Sequence, residues 1–157
     1  MKRVIIAIML FGLFRSGLSV NTIPNLDERV TAQQSVMMSQ YKRRHDLIPQ
    51  LINTVKGSAS FEKNLVEGVI KARQRVQNLN IEGAADFAKL DAAQTQLSSA
   101  LSRVLVTVER YPDVKSTEGF KTLQSQIEGT ENRIAVARRD YIQSVQHFNA
   151  NIRTLPG

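Results

Sequence analysis

The chemistry open to this 157-residue chain is limited because it contains two histidines, His45 and His147, and no cysteine. The histidines stand about 100 positions apart, so they do not form the short His-x-x-x-His pair that binds zinc. Di-iron helical proteins carry Glu three residues before each metal-binding His, a position that Lys42 and Ser144 occupy here. These spacings, with the absence of thiols, exclude the common short metal motifs, iron–sulfur clusters and a cysteine nucleophile.

His45 and Asp46 form the adjacent pair that most resembles a general base with its orienting acid. Neighbouring residues on a helix point about 100° apart and do not face each other, which argues against this pair as a catalytic unit. The sequence also lacks a phosphate-binding Gly-x-x-x-x-Gly-Lys loop and a Gly-x-Ser-x-Gly nucleophile elbow. The alternative that stays open is an enzyme or metal site assembled in space from His45, Asp46, Glu128 and Glu131.

Charged residues are concentrated in two segments, 42–46 and 128–140. Arg44 falls on the apolar stripe of its helix, and Glu131 lies next to such a position on another helix. A polar side chain on a buried stripe needs a partner, so the pattern predicts an inter-helix ion-pair network that includes Arg44 and Glu131. The alternatives are that these charged residues form a solvated face, or a surface that binds a ligand or partner. The candidate residues of this network or interaction surface are Arg43, Arg44, Asp46, Glu128, Glu131, Arg138 and Asp140.

The formal net charge is +7, from 21 Lys and Arg against 14 Asp and Glu. Lys2, Arg3 and Arg15 supply three of these charges, which leaves +4 (7 minus 3) for the rest of the chain. No basic stripe is interleaved with stacking aromatic residues, so we expect no nucleic-acid partner. The pattern identifies no small-molecule substrate and no cofactor.

Residues 1–20 read as a targeting or anchoring segment because Lys2 and Arg3 precede the uninterrupted apolar run Val4 to Phe14. The length of that run fits a cleaved signal peptide, and Gly17-Leu18-Ser19 offers small residues for cleavage before Val20. A retained anchor that continues past Arg15 is the alternative. The positive N-terminus favours a periplasmic position for the domain that follows.

Residues 21–157 are predicted to form an all-α domain, an elongated antiparallel four-helix bundle that follows the hydrophobic anchor segment. Four apolar ladders at helical spacing are separated by loops near residues 57, 80 and 113. Residues 21–25, which contain Pro24, are expected to be a connector, and the first helix is expected to continue past Pro49 with a kink. No segment alternates with period two, so we predict no strand. The ladders comprise Val30, Met37, Tyr41, Ile48, Leu51 and Val55; Phe61, Leu65, Val69, Ala72, Val76 and Leu79; Phe87, Leu90, Gln94, Leu97, Leu101, Val104, Leu105 and Val108; and Phe120, Leu123, Ile127, Thr130, Ile134, Ala137, Tyr141, Val145, Phe148 and Ile152.

Three blocks of the sequence carry a family resemblance: residues 40–51 with 54–57, residues 101–112, and residues 128–141, where the run begins Glu-Gly-Thr-Glu-Asn-Arg. These blocks resemble the LemA family of bacterial membrane-associated proteins. The resemblance implies a retained N-terminal anchor in the inner membrane and a long helical bundle, and the family has no established enzymatic activity or cofactor that could be carried over. It also implies a cytoplasmic domain, opposite to the side that the N-terminal charges favour, and a chain that continues beyond Gly157.

The expected function is that of a non-enzymatic, membrane-anchored helical scaffold or protein-interaction module at the bacterial cell envelope. Its expected partners are the membrane, through residues 1–20, and another protein or a second copy of the chain. A soluble periplasmic binding protein released by signal cleavage is the alternative, besides the enzyme or metal site given above.

Overall fold

The computed structural model describes residues 22–58, 61–80 and 84–153. They form five helices: α1 (Thr22–Lys56), α2 (Lys63–Gln77), α3 (Ala84–Val108), α4 (Pro112–Lys115) and α5 (Glu118–Arg153). These ranges contain no strand, so the prediction of an all-α protein is confirmed. The predicted anchor or signal segment, residues 1–20, lies outside the described residues. Within the three described ranges, no helix combines the length and the apolar character that crossing a bilayer requires.

Helix α1 begins earlier than predicted, because residues 22–25 are helical and do not form a connector. Pro24 lies within this helical segment. At the other end, α1 continues through Pro49 to Lys56, which confirms that this proline does not end the helix.

Helix α2 is shorter than its apolar ladder, since both Phe61 and Leu79 lie outside it. Phe61 instead belongs to the turn after α1, where its N–H donates to the carbonyl oxygen of Ser58 at 3.1 Å. Its buried ring packs against the ring of Tyr111, with centroids 5.1 Å apart. The aromatic contact therefore joins the two loops that precede α2 and α4.

The fourth predicted helix is preceded by one extra turn, α4, that the pattern did not indicate. Pro112 starts this turn with its φ angle already fixed for a helix, and Val114 is buried. Thr117 then caps α5, because its Oγ1 accepts a hydrogen bond from the Phe120 N–H at 3.3 Å. The cap explains why α5 begins at Glu118.

The chain divides into two compact units, one formed by residues 40–134 and the other by described residues of 22–39 and 135–153. In the first unit, α2 packs against α3, and one apolar cluster takes side chains from the helices and from Phe61. In the second unit, the buried residues are Met37, Ala137 and Ser144. The cluster of the first unit consists of Leu47, Ile48, Leu51, Val55, Phe61, Val66, Val69, Ala72, Leu97, Leu101, Val104, Val108, Val114, Phe120, Leu123 and Ile127.

Candidate functional site

Arg44 on α1 is fully buried, with 0% of its surface exposed, and it makes hydrogen bonds to α3 and α5. Its Nη1 donates to the Ser98 Oγ and to the Glu131 Oε1, each at 2.5 Å. Its Nη2 donates to the backbone carbonyl of Gln94 at 3.2 Å and also to the Oε1 of that side chain. One guanidinium thus holds three helices of unit 40–134 in a common register.

The network closes on itself through Ser98, whose hydroxyl donates to the Glu131 Oε2 at 2.9 Å. Both carboxylate oxygens of Glu131 are therefore hydrogen-bonded, although 35% of this side chain is exposed. Behind the guanidinium lies the ring of Tyr41, with its centroid 5.8 Å from the Arg44 Cζ, a distance that allows cation–π attraction. We call Arg44, Gln94, Ser98 and Glu131 the arginine network.

The position of Arg44 follows from the apolar stripe of α1. Tyr41 and Ile48, three residues before it and four after it, are both buried. Residues at these spacings share one helix face, so the side chain between them enters the interior. Gln94 and Ser98 are likewise four residues apart on α3. Burying a charge is costly unless it is paired and hydrogen-bonded. The network supplies acceptors to both Nη atoms of Arg44, whereas its Nε–H has no partner among the described residues.

The structure joins two of the seven sequence-predicted site residues, Arg44 and Glu131. The others lie at exposed positions outside the arginine network: Arg43, Asp46, Glu128, Arg138 and Asp140. Sequence reasoning did not assign Gln94 and Ser98 to the network. The signal for Gln94 was present, because this polar residue stands on the apolar ladder of the third helix, as Arg44 does on the first. Ser98 gave no such signal.

A groove of about 530 Å³ lies between α3 and α5, and Glu131 and Ser98 form part of its lining. The apolar part of the lining is Leu101, Leu105, Val106 and Ile127. Val106 is 67% exposed, more than any other large hydrophobic side chain of the described residues. The charged residues lining the groove are all acidic: Glu109, Glu128 and Glu131. We call this the acidic groove.

The described residues contain no group of three or more His, Asp or Glu side chains arranged to hold a metal ion. His45 is half-buried, and burial is the main cause that lowers the pKa of its imidazole below the ordinary value of 6.5. The positive charge of Arg73 lowers this pKa further, and Asp46 opposes the shift. Of the three acids proposed for such a site, Asp46, Glu128 and Glu131, the last is bound to Arg44.

Because the pKa of His45 is lowered on folding, the protein should lose stability as the pH falls below 6.5. In that window the unfolded chain binds more protons than the folded one, so acid favours unfolding. The variant His45→Asn should therefore show a flatter dependence of the melting temperature on pH between about 7 and 5. His147→Asn, at an exposed position on α5, controls for the loss of a histidine as such. A wild-type slope in His45→Asn would contradict the prediction.

The sequence model of the LemA family matches residues 33–157. The chain belongs to the LemA family. This confirms the resemblance carried by the three sequence blocks, and all four residues of the arginine network lie within the matched range. The membership assigns no enzymatic activity to any residue of this LemA-family chain.

Curated relatives of this LemA-family chain include Protein LemA of Metamycoplasma hominis, which is 21% identical over 120 residues. That match covers 76% of this chain and 53% of the relative. Magnetosome proteins MamQ 1 and MamQ 2 of Paramagnetospirillum magneticum are each 24% identical over 157 aligned positions, covering 87% of this chain and 58% of the relative. The chain therefore spans little more than half the length of the curated relatives that it matches.

Proposed function

We propose that this LemA-family protein is a non-enzymatic helical interaction module at the bacterial cell envelope, and that the acidic groove binds a partner protein. The observation that carries the proposal is the exposed Val106 over an apolar floor, beside Glu128, which forms no ion pair with any described residue and accepts a hydrogen bond from the neutral side chain of Gln124. The other two carboxylates of the lining are paired, Glu131 with Arg44 and Glu109 with Lys115. Protein interfaces commonly combine an apolar centre with a polar rim, and the groove has both.

The arginine network fixes two residues that line the acidic groove. Glu131 and Ser98 line the groove and are at the same time hydrogen-bonded to Arg44, while Ile127 belongs to the apolar core. Their positions are thus set by the fold and need no ordering by a ligand. A preformed surface loses little conformational entropy on binding, which favours affinity.

The occupant that we propose is an amphipathic helix of a partner protein, with Lys or Arg beside an apolar stripe. The space between two helices suits a third helix, which would place its apolar residues on Leu105 and Val106. Basic residues on the same helix would then lie near Glu128, since Glu109 already pairs with Lys115. Complementary charge of this kind selects the partner and its orientation more than it adds affinity.

Two observations support the proposed attachment to the cell envelope: the sequence of residues 1–20 and the membership of the LemA family. We infer that these residues are retained as a single-pass anchor and that the four long helices form an elongated antiparallel bundle. Two of the relatives are named magnetosome proteins, which supports a role at a membrane without specifying the process. The alternative of a soluble periplasmic protein differs in one measurable property, the mass of the mature N-terminus.

Photo-crosslinking in intact cells of the source bacterium tests the proposed groove. A photoreactive amino acid at position 106 of the full-length protein is expected to capture a defined protein, and the crosslinked peptide should carry Lys or Arg around an apolar stripe. The matched control is position 126, because Gln126 is exposed on α5 and does not line the groove. No crosslink at position 106 would contradict the proposal. So would the same products from both positions, or a captured peptide of acidic character.

A further inference from the structure

A second groove, of about 480 Å³, lies between α2 and α3 and has the opposite charge. Lys71 and Arg75 of α2 and Arg103 of α3 line it, and no carboxylate does. Thr95 and Ser99 add hydroxyl groups from α3. Helix α3 therefore contributes to an acidic groove and to a basic groove, both within unit 40–134. We call the second one the basic groove.

The cations of the basic groove are not neutralised within the described part of the chain. The cations that form ion pairs among the described residues are Arg44, Lys63, Lys89, Arg110 and Lys115, and none of them lines the basic groove. Lys71 and Arg103 make no ion pair or hydrogen bond with any described residue, and Arg75 donates only to the neutral side chain of Gln96. Glu67 lies one turn before Lys71, but its carboxylate pairs with Lys63, which lies one turn before Glu67. Three positive charges thus act together on the same small volume.

The floor of the basic groove allows an anion to approach the backbone of α2. Gly68 lines the groove, and a Cβ atom built on it would meet no atom within 4 Å. Ala72 and Ala100, whose side chains are short, also line the groove. Arginine guanidinium groups match the oxygens of a phosphate in pairs, and hydroxyl groups can donate to the oxygens that remain. The space, the charge and the donors together fit a phosphate group.

We propose that the basic groove binds the phosphate of an anionic lipid headgroup. The three cations are exposed, so a membrane surface can reach them, and no aromatic side chain lines the groove to stack a nucleic-acid base. Basic side chains near an anionic surface each add to its attraction. This site is separate from the acidic groove, and its failure would leave the protein-binding proposal untouched.

The test uses the full chain, purified in neutral maltoside micelles and labelled for NMR, with phosphatidylglycerol added to the micelles. We expect saturable shifts of the backbone amide signals of Gly68 and Ser99, and no such shifts with phosphatidylcholine. The variant Lys71→Gln/Arg75→Gln/Arg103→Gln should bind phosphatidylglycerol roughly tenfold more weakly or worse. It should fold normally, because all three side chains are exposed.

The matched control removes the same charge elsewhere, in Lys42→Gln/Lys121→Gln/Arg133→Gln, and all three of these positions are also exposed. Its affinity should equal that of the wild type. Equal losses in the two variants would overturn the proposal, since they would indicate a general effect of net charge. Absence of shifts at Gly68 and Ser99 would overturn it directly. If soluble glycerol phosphate at the same phosphate concentration gave equal shifts, the claim that the bound phosphate belongs to a lipid headgroup would be overturned.

Discussion

Replacing Arg44 by alanine is expected to reduce the free energy of unfolding by about 3–5 kcal/mol. The substitution leaves the Gln94 side chain and the Glu131 carboxylate without their shared donor and opens a cavity where a fully buried side chain stood. Urea denaturation followed by circular dichroism at neutral pH measures the loss. Arg43→Ala, at the exposed neighbouring position, should change stability by less than about 0.5 kcal/mol.

A double-mutant cycle of Arg44→Ala with Glu131→Ala separates the ion pair from the other contacts of Arg44. The two side chains are in direct contact, so the combined loss should differ from the sum of the single losses by about 0.5–3 kcal/mol. Additive losses would show that the two charges are not coupled. The network would then be only a set of side chains that happen to lie close together.

Replacing Ile127 by aspartate is expected to unfold unit 40–134 or to cost more than about 4 kcal/mol. Ile127 is 1% exposed and belongs to the apolar core of that unit. A carboxylate at this position would be buried without a partner, which is among the most destabilising single changes. The loss of helical signal on mild heating measures the effect.

The control for this substitution is Gln126→Asp, one residue earlier on α5. Gln126 is exposed, so the same new charge there should leave the melting temperature almost unchanged. Similar melting of the two variants would mean that the assigned core face of α5 is wrong. The comparison therefore tests the helix orientation that also places Glu128 and Glu131 in the acidic groove.

The helical content and the burial of Arg44 follow from spacing alone. A charged residue between Tyr41 and Ile48 on one face has to enter the interior, and the same reasoning applies to Gln94 on α3. Local exceptions limited the prediction of boundaries. Residues 21–25, which contain Pro24, were expected to form a connector, whereas residues 22–25 are helical. The one-turn helix α4 is too short to show any periodicity.

Neither groove was predicted, because each depends on how two separate helices lie against each other. The carboxylates of Glu109 and Glu128 come from α3 and α5, and no spacing within one helix indicates that they share a surface. The same holds for Lys71 and Arg103. The arginine network shares this limitation in part: the pattern paired Arg44 with Glu131, but only the fold identified Gln94 and Ser98 as further partners.

The central claim, that the acidic groove recognises a basic helix, is tested most directly by a charge exchange in cells. Glu128→Lys, in the protein that carries the photoreactive residue at position 106, should strongly reduce the crosslink, whereas Gln126→Lys should not. Changing the facing Lys or Arg of the captured peptide to Glu should restore the crosslink to the Glu128→Lys protein. An undiminished crosslink in Glu128→Lys, or no recovery in the exchanged pair, would contradict recognition by charge in this groove.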